Sequence, residues 1–189
     1  MMKQRLTPAE LLHLIRSGRA ATRPAREHDP VPEVDLRAVH LGAVDLQGAD
    51  LRQVNLTAAD LHGANLAGAN LAGSTLRRAT LRTADVRHAQ LRGADLSRAK
   101  LRGADLSYAD LRGASLAGAD LRGVRLLGAR LQQADLSYAD LRHADLRFAD
   151  LAGAVLAGTT WRGSQYNDHT RWPEGWVPPA GARWEEGGR

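Results

Sequence analysis

Leucine recurs at every fifth position for most of this chain. The series starts at Leu36 and runs through Leu41, Leu46 and Leu51 to Leu156, broken once by Val86 and closed by Trp161. Of the 26 positions in register, 24 are leucine. Two residues before each stands a small side chain: Ala in 19 repeats, Val in five, and Ser74 and Thr159 in the others. A period of five suits neither regular element. In an α-helix successive leucines would lie about 140° apart and form no stripe. In a flat strand they would alternate between the two faces. They share one side only if the chain bends once per repeat. The small residue at i−2 and Leu at i then point inward together, and four corners close a square coil of 20 residues. Stacked coils pair as parallel strands around a column of leucines.

The residue two after each leucine is Gly in 13 of the 26 repeats, which suits a turn that needs positive φ. The other repeats place Ala, Gln, Thr, Arg, His or an aromatic there, which predicts negative φ at those corners. The residue before the leucine is usually Asp or Asn, as at Asp45, Asp50, Asn55 and Asp60, short side chains that satisfy a turn amide locally. The consensus A-(D/N)-L-x-G, sustained over residues 34–163, closely resembles the bacterial pentapeptide-repeat family. The resemblance implies an all-β fold, a right-handed quadrilateral parallel β-helix. The repeats then make about 6.5 coils, and at roughly 4.8 Å per coil the rod is on the order of 31 Å long.

Both ends of such a rod need covering, because bare coils expose strand edges and leucines. Thr7-Pro8-Ala9-Glu10 reads as a capping box with Pro at the first helical position, and Leu11, Leu12, Leu14 and Ile15 supply an apolar face. This predicts a capping helix over residues 1–18, followed by a Pro-rich linker over 19–33. After the β-helix of 34–163, residues 164–189 read as an irregular cap. All four tryptophans fall at or beyond position 161. Trp161, Tyr166, Trp172, Trp176 and Trp184 are candidates either for shielding the last coil or for an interface, including a homodimer through the C-terminal end.

Residues 20 apart should stack directly, so each outward position can be followed as a column. One column, the position after each leucine on one face, reads Gly42, His62, Arg82, Arg102, Arg122, Arg142, Arg162. Like charges at this spacing repel by about 1 kcal/mol per pair in water. Asp85, Asp105 and Asp145, three residues beyond Arg82, Arg102 and Arg142, are the expected counter-charges. The five arginines are the candidate partner-binding residues, for an acidic or phosphate-bearing partner or directly for nucleic acid. A second, smaller candidate is aromatic: Tyr108 and Phe148 share a column with Gly128 between them, and Tyr138 lies on another face.

Catalytic chemistry is absent from the pattern. The seven histidines share no column on adjacent coils, so no metal site is expected. Ser97, Ser107 and Ser137 lack a histidine and an acid in matching columns. There is no cysteine. No cofactor and no enzymatic activity are expected. With no apolar run near the ~18 residues of a membrane span and no leader-type segment, the expectation is a cytoplasmic protein without a membrane partner.

The reading is therefore a non-catalytic interaction scaffold whose partner is a protein. The resemblance implies one alternative, because some family members bind DNA gyrase by imitating DNA and confer antibiotic resistance or self-protection. That mimicry needs a negative surface. Residues 34–163 carry 13 Asp and no Glu against 17 Arg and Lys, and the whole chain has a net charge of +5.

Overall fold

The computed structural model describes residues 35–184. The described part is a stack of four-cornered coils. Isolated parallel bridges join the residue before each core position to the one 20 further on, from Asp35 with Asn55 through Asp145 with Gln165. The expected capping helix of 1–18 and the linker of 19–33 lie outside the described residues.

Each repeat is one β-turn. The amide of the small residue donates to the carbonyl of the leucine three positions before it, as Ala104 N does to Leu101 O at 2.9 Å. Three further main-chain bonds tie each repeat to its neighbours. Leu101 N donates to Asp120 O at 2.8 Å, Gly103 N to Arg122 O at 3.0 Å, and Asp105 N back to Ala84 O at 3.0 Å. Leucines and alanines fill the interior, and Leu61 through Leu76 and Leu101 through Leu121 are essentially without exposure. Where the small position is polar, the turn itself accepts the hydroxyl: Ser74 Oγ donates to Leu71 O and Thr159 Oγ1 to Leu156 O, both at 2.7 Å.

One expectation is overturned. The corners without glycine do not switch to negative φ. Thirteen non-glycine residues at the corner position, from Ala38 to Phe148, have φ between 54° and 63°, close to the values of the corner glycines. The inter-coil bond is the reason. The corner amide must point along the rod to reach a carbonyl one level up, as Thr83 N does to Arg102 O at 3.2 Å. Only a turn with positive φ at its third residue aims it that way. Thr83, β-branched at φ 54°, is the most strained of these corners.

The coil register continues past residue 163. Asp150 pairs with Arg171, 21 positions on, and the extra residue is taken up at Asn167–Thr170, where Asn167 Oδ1 accepts from Phe148 N at 3.1 Å and Thr170 Oγ1 donates to Leu146 O at 3.0 Å. Two short strands, β1 (Gln165–Tyr166) and β2 (Arg183–Trp184), then pair in parallel and lay the tail over the last coil.

Replacing the fully buried Leu101 with Ala should cost about 2–5 kcal/mol in denaturant unfolding, through lost burial and the cavity left behind. Thr83→Gly, which relieves a left-handed β-branched residue, should raise the unfolding free energy by roughly 1 kcal/mol, whereas Gly103→Val should lower it.

Candidate interaction surface

The residue before each leucine sets the chemistry of the surface. Its carboxylate or amide oxygen accepts the backbone N–H two positions on, as Asp95 Oδ1 does from Ser97 N at 2.9 Å and Asn55 Oδ1 from Thr57 N at 3.0 Å. That bond brings the side chain across the outside of its own leucine. When the residue after the leucine is arginine, the carboxylate meets a guanidinium end-on and binds it twice. Asp120 accepts from Arg122 Nε and Nη2 at 2.7 Å each, and Asp140 from Arg142 at 2.8 and 2.6 Å. The same clamp joins Asp50 to Arg52, Asp85 to Arg87, Asp110 to Arg112 and Asp145 to Arg147.

These clamps correct the expected pairing of the arginine column. The acids three residues beyond Arg82 and Arg142 do not serve those arginines. Asp85 and Asp145 hold Arg87 and Arg147, the arginines two residues after them, and Asp105 accepts from Ser107 and lies 3.6 Å from Arg125. Three residues on is around a corner, whereas two residues on is across one leucine. The column is accordingly not uniform. Arg122 and Arg142 are clamped, and Arg122 also lies 3.7 Å from Asp140. Arg82, Arg102 and Arg162 follow Thr80, Lys100 and Thr160, and among the described residues their side chains have no ion pair.

The clamps lower the pKa of several of these acids. The Arg142 guanidinium, helped by the Arg142 backbone amide and the Thr160 hydroxyl at 2.9 Å, holds the Asp140 carboxyl down at about 2 from the ordinary 3.8, against partial burial that works the other way. Asp50, Asp85, Asp110 and Asp120 are lowered by the same guanidinium bond to their own arginine, and Asp60 by its bond to the His62 ring at 3.0 Å.

The aromatic corners lean along the rod toward its C-terminal end. Tyr108 stacks with His88, ring centroids 5.3 Å apart, and lies over Gly128, where an added Cβ would come within 2.7 Å of the tyrosine ring. Tyr138 lies over Gly158 and His143 over Gly163 in the same way, and Phe148 stacks on His169 at 5.1 Å. Of Tyr108, Tyr138 and Phe148, Tyr138 is the most exposed, at 76%.

The tail aromatics form one cluster over the last coil. Trp161 takes the leucine position and is buried, with its Nε1 donating to Thr159 Oγ1 at 2.7 Å. Trp172 and Trp176 pack on it at 5.7 and 5.1 Å and on each other at 4.5 Å, and Tyr166 meets Trp172 edge-on at 5.6 Å. These four rings are spent on each other and on the core. Trp184 stands apart, half exposed, with its Nε1 donating to Asp168 at 2.8 Å.

The outward serines of the described residues are hydrogen-bonded locally. The Ser107 hydroxyl donates to Asp105 at 2.6 Å and Ser137 binds Asp135, each across its own leucine, and Ser97 meets Ser115 of the next coil at 2.9 Å. Among the described residues no group of histidines and acids converges to hold a metal, and no helix is long and apolar enough to cross a membrane. A shallow trough runs beside the arginine column, lined by Thr83, Gly103 and Gly123 on one side and Asp85, Asp105 and Arg125 on the other.

A parallel β-helix built of five-residue turns, with a buried leucine column and alternating acid–base clamps outside, defines a repeat protein rather than a pocketed one. The chain belongs to the pentapeptide-repeat family, whose pattern matches eight times over residues 35–71, 59–103, 99–137 and 124–163. The fold is therefore the right-handed β-helix of that family. Among solved structures it is similar to alr5209, a pentapeptide repeat protein from Nostoc PCC 7120, at 42% identity over 53% of this chain and 84% of that one, with a TM-score of 0.52. HetL, a pentapeptide repeat protein involved in heterocyst differentiation regulation in Nostoc sp. PCC 7120, is 27% identical over 86% of this chain and 84% of its own, with a TM-score of 0.45. QnrB1, a plasmid-mediated fluoroquinolone resistance protein, is 19% identical over 72% of this chain and 91% of its own, with a TM-score of 0.35. No curated protein matches the chain.

Acid sensitivity follows from the clamps. A carboxylate whose folded pKa is depressed stabilises the fold fully above its ordinary value and loses that contribution as pH falls through the folded value. Thermal stability should thus be flat above about pH 4 and fall between pH 4 and pH 2, as Asp140 protonates. Calorimetry across that range checks it, and Arg142→Gln should shrink the loss, because Asp140 then has a smaller depression to give up.

Proposed function

We propose that this protein is a non-catalytic interaction scaffold: a rigid rod that presents fixed rows of side chains to a protein partner in the cytoplasm. The observation that supports this most directly is the division of labour within each repeat. The leucines at every fifth position and most of the small residues two before them are taken up by the interior, and the remaining outward positions vary while the backbone beneath them does not. Such a surface is ordered before it meets a partner, so binding has little conformational entropy to overcome. The exposed aromatic corners Tyr108, Tyr138 and Phe148 stand among clamped ion pairs, a mixture suited to a protein contact.

Imitation of DNA toward gyrase fits this surface poorly. Most aspartates that would supply the negative charge are tied to arginines two residues away, and the charge balance of the repeat region is positive. The 19% identity to QnrB1 speaks for the fold alone.

Affinity capture with the full chain as bait, from the lysate of a bacterium that makes it, should enrich a discrete protein that a charge-matched, unrelated β-helix bait does not. Equal recovery on both baits would overturn the scaffold reading. In a supercoiling assay with purified gyrase, the chain should neither inhibit the enzyme nor protect it from a quinolone, and inhibition at micromolar protein would restore the mimic.

A further inference from the structure

One block of the surface departs from the clamp rule. On the Leu81 and Leu101 repeats the residue before the leucine is Thr80 and Lys100 instead of Asp, and Arg78 and Arg98 stand at the corner leading into this face. Thr80 pairs with Lys100 across adjacent coils, so the two repeats are direct neighbours. Arg78, Arg82, Arg98, Lys100 and Arg102 thereby form a group of five exposed cations on two levels of one face. Among the described residues, none of these five side chains forms an ion pair or a side-chain hydrogen bond.

Acids already in use bound the group. One level beyond it, Asp120 is clamped to Arg122, and one level before it Asp60 holds the His62 ring. Around the next corner Asp85 holds Arg87, and around the preceding one Asp95 binds the Ser97 amide and Arg77. The cationic island is therefore about 4.8 Å between its two levels and at most about 13 Å from Arg98 to Arg102 along the chain, at roughly 3.3 Å per residue.

We infer that this island is a binding site for a compact, multiply charged phosphate-bearing anion, an oligophosphate chain carried on a small molecule. The inference rests on the reading of the rod as a binding scaffold and names one ligand class for one part of it. Uncompensated like charges at strand spacing repel, and a dense anion removes that repulsion. Four of the five cations are arginines, whose planar forks match phosphate oxygens two at a time. An extended acidic peptide presents same-face charges only about every 7 Å and fits the island less well. Duplex DNA needs a longer stripe, and Asp120 and Asp140 interrupt the column just beyond Arg102.

The test is calorimetric titration of inorganic tripolyphosphate into the full chain at low ionic strength. Saturable binding is expected, at one tripolyphosphate per chain. The pair Arg82→Gln and Arg102→Gln should weaken it by about tenfold or more. Lys100→Asp, which recreates at Arg102 the triplet that clamps Arg122, should weaken it comparably. Asp occupies that column at Asp60, Asp120 and Asp140, so this variant is expected to keep the fold, and circular dichroism with thermal melting checks it. The pair Arg122→Gln and Arg142→Gln should leave affinity nearly unchanged. No saturable uptake, or equal loss in both arginine pairs, overturns the proposal. So does displacement by duplex DNA with an affinity that rises with duplex length and depends on Arg122 and Arg142. A chain that captures a protein client yet ignores tripolyphosphate would keep the scaffold reading and sink this one.

Discussion

The hydrogen bond from the corner amide to a main-chain carbonyl nineteen residues on, repeated from Ala38 to His143, governs the rest of the structure. It forms at Gly103 toward Arg122 and equally at Tyr108 toward Leu127, whatever side chain the corner carries. Because it must form, the corners from Ala38 to His143 all take positive φ. Because every corner bends alike, every leucine returns to the interior after five residues. The hydrophobic column is thus an outcome of the main-chain ladder as much as its cause. Burial supplies the stabilising free energy, and the ladder decides the shape in which it is released.

That hierarchy explains what could and could not be read beforehand. The leucine period alone excludes helix and flat strand, and the stacking of residues 20 apart follows from it. The conformation at Thr83 or Phe148 did not follow. Intrinsic preference argues against positive φ there, and only the inter-coil amide bond overrides it. The arginine column was legible as a column but not as an electrostatic object. Counting offsets along the chain does not say which way a carboxylate leans. The Asx bond to the amide two residues on decides that, and it splits Arg122 and Arg142 from Arg82 and Arg102. The triplet Asp-Leu-Arg was visible throughout and would have told clamped arginines from free ones. The tryptophans were readable as an end cover, although their mutual packing, and the separation of Trp184 from the other four rings, needed coordinates.

The surface electrostatics follow a local rule with a large effect. A bidentate carboxylate–guanidinium pair confined to one repeat leaves little net field outside it, even though the chain is rich in charge. Basicity averaged over the chain is therefore a poor guide to where an anion would settle. The informative positions are those where the residue before the leucine is not acidic, because there the arginine after it keeps its full charge toward solvent.

The lean of the corner side chains gives the rod a sense of direction. Tyr108, Tyr138 and His143 each lie on the glycine of the next coil, never on that of the coil before. A substitution at Gly128 would thus displace the Tyr108 ring one level below it. A binding mode that works head-up cannot simply be inverted, and the identical-looking repeats still tell a partner which end is which.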